Sequence, residues 1–331
     1  MKLNRRHVLA LSGSPFCGVL SFVANPAFAQ SYPSKPLRIV VPFAAGGPVD
    51  MIARILAKPL GDRLGQAVIV DNKAGAATII GTDNVVKSPP DGYSALVVGA
   101  GARTILPAVT NLPYDPAKDL MAVAKVASSP QIFVISNKFA AQGIKSMKDL
   151  VAWTAANPGK LNIGSVGAGT ITSLAAELFK REATIQAVDV PFRGGAPAVT
   201  AVLGGEIDFL SADVAAVIPH IQAKKMVGIA ITGPQRVGDI PDVPTVAQAG
   251  FPNLIAVNAY CLFLPANTPR DVVVKLNQAV VASLKTPEVK AQYAKLGMTA
   301  EGGNPEELEK YLSEQAAKWQ PLARALGVRI S

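Results

Sequence analysis

Short runs of β-branched and other apolar residues alternate with stretches of helical periodicity along most of the chain. LRIVV (37–41), AVIVDN (67–72), GYSALVVGA (92–100), QIFVISN (131–137), KLNIGSVG (160–167), AVDVPF (187–192), EIDFL (206–210) and MVGIAIT (226–232) read as strands punctuated by Pro and Gly. Between the first two, Met51, Ile52, Ile55, Leu56, Leu60 and Leu64 recur at spacings of one, three and four, the stripe of an amphipathic helix. Near the end, NAYCLFLP (258–265) reads as another strand, and 271–284 and 305–326 read as long helices. The alternation predicts an α/β fold of parallel βα units with helices on both faces of each sheet.

The first residues stand apart from that pattern. MKLNRRHVLALSGSPFCGVLSFVANPAFAQ has a basic start, an apolar middle and a small-x-small ending, which is the form of a signal peptide spanning 1–29. Asn4 to Leu9 resemble a twin-arginine signal, and Ala27-Phe28-Ala29 supplies the cleavage site, so export by a Tat-like or Sec route to the periplasm is expected. Ser12, Gly13, Ser14, Pro15 and Gly18 break the apolar middle, which leaves it too short for a permanent anchor.

Cleavage after residue 29 of 331 leaves 302, enough for two domains with well-filled cores. We expect one lobe from 30–125 and 255–331, a second from 126–254, and two crossings that form a hinge. Losing Lys2, Arg5 and Arg6 takes the net charge from +9 to +6, which favours anionic partners weakly. Lys and Arg are scattered, with no basic run interleaved with aromatics, so a small anion fits better than nucleic acid. Cys261 alone remains after cleavage, so no intrachain disulfide can form, and a monomer stabilised by packing is expected.

One echo carries chemistry. VPFAAGGP (41–48) recurs as VPFRGGAP (190–197), each following a strand and preceding a helix. The Gly pairs allow a tight turn and close approach by a ligand, and the Pro fixes φ near the first helical turn where no N–H is needed. A helix N-terminus of this kind combines unpaired N–H donors with the positive end of the dipole, an anion site. A third turn, GSVGAGTITS (164–173), opens a helix with Thr170, Thr172 and Ser173, whose hydroxyls serve as caps or ligand contacts. Asp50 either binds at the first turn or braces it as a structural carboxylate.

Enzyme constellations are scarce. The mature chain has one histidine, His220, near a helix end, and one cysteine, so a His/Cys metal cluster cannot assemble. Ile163-Gly164-Ser165-Val166-Gly167 lacks the leading Gly of a nucleophile elbow, and GAGARTIL and GAGTIT both fail the dinucleotide fingerprint. Asp208, Asp213 and Glu177 have no neighbours that mark a catalytic pair. No cofactor is indicated.

The segments YPSKPLRIVVPFAAGGPVDMIARILA, DNKAGAATIIGTDNVVKSPPDGYSALVVG, LPYDPAKDL, PGKLNIGSVGAGTITSLAAELFK, VPFRGGAPAVTAVLGGEIDF and GDIPDVPTVAQAGFP resemble, in order, the Bug family of extracytoplasmic receptors for tripartite tricarboxylate transporters. The resemblance implies a type II periplasmic binding protein fold whose two lobes close on an organic anion and present it to the permease subunits. It also implies that backbone amides, hydroxyls and ordered water hold a carboxylate. By motif, the first lobe offers Phe43, Ala45, Gly46, Gly47, Asp50, Gly101, Ala102, Arg103 and Thr104. The second offers Gly167, Ala168, Gly169, Thr170, Thr172, Ser173, Phe192, Arg193, Gly194 and the turn at Ser211, Ala212 and Asp213.

This sequence departs from the family where Ala44 and Ala45 replace two Pro, Ser173 replaces His, and Ala212-Asp213 replace Asp-Asn. The loss of an acid at Ala212 is expected to enlarge or neutralise the pocket. Arg103 and Arg193 are distinctive, and as bidentate donors they could grip the second carboxylate of a diacid. A sensor that docks on a membrane kinase and an enzyme acting on a small acid are the alternative readings.

Overall fold

The computed structural model describes residues 32–326, apart from Ala168, Gly169 and Arg193. Residues 1–31, which include the expected signal peptide, and 327–331 lie outside the described residues. The chain opens with β1 (Leu37–Val41), α1 (Pro48–Leu64), β2 (Val68–Asn72), a 3-10 turn, α2 (Ile79–Val86), β3 (Ser94–Gly99) and the single turn α3 (Gly101–Thr104). β1 pairs in parallel with both β2 and β3, as the βα pattern requires. The expected stripe is real: Ile52, Leu56 and Leu60 are buried against Leu37, Ile39 and Val41.

β4 (Leu120–Ser136) is then a single strand of 17 residues, running straight through position 125. Its sequence, LMAVAKVASSPQIFVIS, carries Lys125, Ser128, Ser129 and Pro130 inside the apolar run, which is why only its second part reads as a strand. The strand changes sheets midway: Pro130 is the last residue paired with β9 (Val257–Pro265), and Gln131 the first paired with β7 (Phe209–Asp213). Pro lacks an N–H, so a position where partners change is one that tolerates it.

The second sheet is built from α4 (Asn137–Ala140), α5 (Met147–Ala156), β5 (Leu161–Val166), α6 (Ile171–Glu182), β6 (Ala187–Phe192), α7 (Gly195–Gly204), β7, α8 (Val214–Gln222) and β8 (Met226–Ile231). β5 pairs in parallel with β6 and β7. The expectation of purely parallel sheets is corrected: β9 runs antiparallel to β3 and β4, and β7 and β8 run antiparallel to β4. A strand that passes between sheets must meet one set of neighbours head to tail. After β9 come α9 (Arg270–Leu284), α10 (Pro287–Ala294), β10 (Thr299–Gly302), which pairs with β4, and α11 (Pro305–Ala325).

Four apolar clusters cover both faces of both sheets. α1, α9 and α10 cover one face of the first, while α2 and Leu308 and Leu312 of α11 cover the other. α5 and α6 cover one face of the second sheet, where Phe133, Phe179 and Phe209 pack with centroids 5.3 to 5.7 Å apart, and α7 and α8 cover the other. The C-terminal helices were expected to pack on the first lobe. α11 does so with its first turns only; Trp319 and Ala323 join the cluster over the second sheet. A helix of 21 residues is about 30 Å long, more than one sheet face needs.

The two passages between the sheets are tied together. Gln131 N donates to Ala256 O and Thr232 Oγ1, Thr232 N donates to Gln131 O, and Ala256 N donates to Thr232 O. The Thr232 hydroxyl, fully buried, returns its proton toward Gln131 O and Ala256 O.

Candidate functional site

Parallel pairing brings the candidate loops to common edges. β1, β2 and β3 end at Val41, Asn72 and Gly99, so the glycine turn at 42–47 and the loop into α3 leave the same edge of the first sheet. β5, β6 and β7 end at Val166, Phe192 and Asp213, so the turns into α6, α7 and α8 leave one edge of the second. The carboxyl edges of strands are where open α/β sheets bind ligands.

In the first turn, Gly46 sits at φ +83°, a left-handed conformation that L side chains adopt at a cost, whereas Gly47 has an ordinary φ of −81°. Asp50 is buried and structural. Its carboxylate accepts from the Gly46 amide at 2.9 Å and from Arg54 Nε at 2.9 and 3.0 Å, closing the turn onto α1. Burial alone would raise the Asp50 pKa, but the hydrogen bonds from Arg54 and Gly46 hold it below the usual range. Arg54 continues to Asn72 Oδ1, and Asn72 Nδ2 donates to Phe43 O, so β2 braces the same turn. Ala45 and Gly46 are exposed, and Phe43 is half-buried between the two clusters of the first sheet. The amides of Gly47, Val49 and Asp50 find no acceptor among the described residues. They are donors at the positive end of a 17-residue helix.

In the second sheet, Gly167 (φ +64°) turns the chain and Thr170 caps α6. The Thr170 hydroxyl donates to the carbonyls of Val166 and Gly167 at 2.9 Å and accepts from Ser173 N at 3.1 Å, so it is a cap. Ser173 is buried. Thr172, half-buried, donates from Oγ1 to Gln131 Oε1 at 2.7 Å. Gly194 (φ +151°) is the N-cap of α7, and Phe192 is half-buried against the cluster beneath it. Ala168, Gly169 and Arg193 lie outside the described residues.

The expected turn at Ser211 to Asp213 is instead the end of β7, which runs from 209 to 213 rather than from 206 to 210. Ala212 is 5% exposed and packs with Ile132, Val134 and Leu210, so its side chain belongs to the apolar face and does not widen a polar pocket. Asp213 is on the opposite face of the strand. Its carboxylate caps α8 through Ala215 N and accepts from Ser129 Oγ at 2.8 Å and from Tyr260 Oη in a short contact. Burial pushes the Asp213 pKa up despite these donors, and burial beside Asp213 pushes the Tyr260 phenol up.

The Arg103 guanidinium is bonded to α11 and to the loop after α3. Nη1 and Nη2 each donate to the Glu309 carboxylate at 2.7 Å, and Nη2 also donates to Ala117 O. The guanidinium therefore fastens α3 to α11. Ala102 is buried in the core and Thr104 donates to Ala100 O, so neither offers a polar group outward; Gly101 is half-buried. Gly101 and Thr104 nevertheless line one small hollow together with Ile171 of α6, Asn258 of β9, and Gln315 and Trp319 of α11. The starts of α3 and α6, from the two carboxyl edges, thus come together over β9 and under α11. The hollow's free volume, about 10 Å³, is that of one water.

His220 stands in the last turn of α8. Cys261 is buried, which pushes its thiol up to about 12. Among the described residues no cluster of His, Cys, Asp and Glu could hold a metal, and no helix is long and apolar enough to cross a membrane. Ser129, Gln131, Tyr260 and Glu309 shape these loops without any signal in the sequence, because each meets its partner only through tertiary contact. Arg54 is the exception that spacing reveals, four residues after Asp50 on one helix face.

The family described as tripartite tricarboxylate transporter family receptor, TctC, matches residues 52–328. A Pseudomonas sp. (strain P51) relative, the UPF0065 protein in the tcbD-tcbE intergenic region, is 34% identical over 97% of this chain and 94% of its own length. Protein BugT of Bordetella pertussis is 31% identical over 93% and 94%. Among solved structures, the periplasmic binding protein BugD is 30% identical, with a TM-score of 0.83 over 90% of this chain and 99% of its own. An R. palustris protein with adipate is 27% identical with a TM-score of 0.85 over 90% and 99%. MatC of Rhodopseudomonas palustris, with bound malate, is 27% identical with a TM-score of 0.81 over 88% and 100%. The fold is that of the type II periplasmic binding proteins, and the chain belongs to the tripartite tricarboxylate transporter receptor family, alongside the Bug proteins.

Proposed function

We propose that this chain is an extracytoplasmic receptor that takes a small organic carboxylate between two lobes and delivers it to the permease of a tripartite tricarboxylate transporter. The observation that carries this reading is the meeting of loops from both carboxyl edges around Gly101, Thr104 and Ile171, beside β strands that connect the two sheets. Free amides at the start of α1 supply donors for a carboxylate without a buried cation. Relatives solved with malate and with adipate fit the same ligand class.

In this reading the lobes divide where β4 changes sheets at Pro130 and Gln131, and again between β8 and β9. The lobes must part to admit an acid, because the hollow between the loops has room for about one water. The leader directs export, and the mature chain acts as a monomer. With Arg103 held by Glu309, the second carboxylate of a diacid would need another donor, Arg193 or a backbone amide.

Small-angle scattering of the mature protein, with and without a saturating acid, tests the closure. A smaller radius of gyration with ligand supports a two-lobed receptor, and an unchanged radius with a bound acid contradicts it.

A further inference from the structure

Three buried apolar side chains meet where the starts of α3 and α6 come together. Ile171 is the first residue of α6, directly after the Thr170 cap, and is 5% exposed. Ile105, directly after α3, and Trp319 of α11 are buried as deeply. All three belong to one apolar cluster and line the same hollow, whose free volume of about 10 Å³ leaves room between them for no more than a water. In the division of lobes given above, Ile171 stands on one lobe, and Ile105 and Trp319 stand on the other. The Arg103–Glu309 pair joins α3 to α11 beside them, so these two present one surface.

The contact is purely apolar. Among the described residues no hydrogen bond joins α6 to α3 or to α11, because the nearby polar groups are satisfied within their own lobe. The Thr170 hydroxyl donates to the carbonyls of Val166 and Gly167, Thr104 donates to Ala100 O, and Trp319 Nε1 donates to Gln315 Oε1 at 2.9 Å. Such surfaces part without stripping a donor or acceptor of its partner, so separation costs only the apolar area returned to water. The crossing strands are joined in the opposite way. Gln131, Thr232 and Ala256 are hydrogen-bonded to one another, and Asp213 of the second sheet accepts from Ser129 and Tyr260 on the first. Hydrogen bonds thus fix the strands that stay together, and apolar contact covers surfaces that are free to separate.

We infer that Ile171, seated against Ile105 and Trp319, is an apolar latch that holds the two lobes together, so that its burial sets part of the balance between open and closed receptor. This inference rests on the receptor reading given above and adds what governs its closure.

The chain has two tryptophans, Trp153 and Trp319, so Trp153→Phe leaves Trp319 as a single emitter on the latch. In that background, acrylamide quenching of the ligand-free mature protein should be about twofold or more stronger with Ile171→Ala than with Ile171, because a smaller side chain covers less apolar surface in the closed form. Ile171→Val, which keeps most of the side chain and guards against misfolding of the alanine variant, should fall between. The radius of gyration from small-angle scattering should rise in the same order. Affinity for any acid that contracts the wild type should fall with the closed fraction, by up to about tenfold for Ile171→Ala.

Stronger quenching at an unchanged radius would report a local cavity and overturn the latch. So would a series unchanged in both measurements while some acid of a mono- and dicarboxylate panel, malate and adipate included, still contracts the protein; the receptor reading would then stand. A radius that neither the Ile171 variants nor any acid of the panel changes overturns both.

Discussion

Asp50 and Asp213 are both carboxylates that accept a backbone amide at a strand-to-helix junction, yet their environments push them in opposite directions. Asp50 is held below its usual 3.8, so its contribution to stability is present above that pH and is lost as pH falls through its folded value. Asp50→Ala should cost about 1–3 kcal/mol in urea unfolding at neutral pH, with the cost shrinking in acid. Asp213 is raised, so its contribution is complete below 3.8 and is lost as pH rises through its folded value. The stability gap between wild type and Asp213→Asn should therefore narrow as pH rises from about 4 toward 7. A gap that widens would contradict the burial argument. Sequence left Asp50 open between ligand and brace, since either role needs an acid near a helix start. Only the partner, Arg54, decides it. The family motif draws attention to Asp213, but nothing in the sequence points to its partners Tyr260 and Ser129, 47 and 84 residues away along the chain.

At the scale of elements, the echoed glycine turns were legible because Gly and Pro act locally on backbone angles. Their two glycines are not equivalent. Gly46→Ala should lose about 1–2 kcal/mol from the left-handed penalty. In Gly47→Ala the new methyl would meet Ala44 O at 3.6 Å, an ordinary contact, so the change should cost under about 1 kcal/mol in stability. If the Gly47 amide holds the ligand's carboxylate, bulkier Gly47→Val should weaken acid binding while unfolding midpoints stay close to those of Gly47→Ala. Strands β1, β5 and β6 were legible as apolar runs ending in glycine-rich turns. β4 was legible only from Gln131 onward, because a strand crossing between two sheets carries polar residues where its partners change. β7 begins late because the acidic start of EIDFL first closes the turn after α7, with Glu206 N donating to Ala201 O, and meets β5 only at Asp208, whose amide donates to Asn162 O.

For the whole molecule, the long crossing strands β4 and β9 and the reach of α11 over both sheets place the candidate site where movement between lobes would be felt. Arg103, a candidate for gripping a second carboxylate, joins α3 to α11 through Glu309. Arg103→Gln should lower thermal stability and leave the ratio of diacid to monoacid affinity unchanged, as calorimetry on matched acids would register. The most direct test of the receptor reading is a thermal-shift titration of the mature protein across a panel of mono- and dicarboxylates, with neutral amides of the same frames as controls. The account predicts that at least one carboxylate raises the unfolding temperature in a saturable, one-site manner, approaching about 2.7 kcal/mol of stabilisation at 100 times its dissociation constant, while its amide does not. No shift with any carboxylate, or an equal shift with the amides, would contradict it.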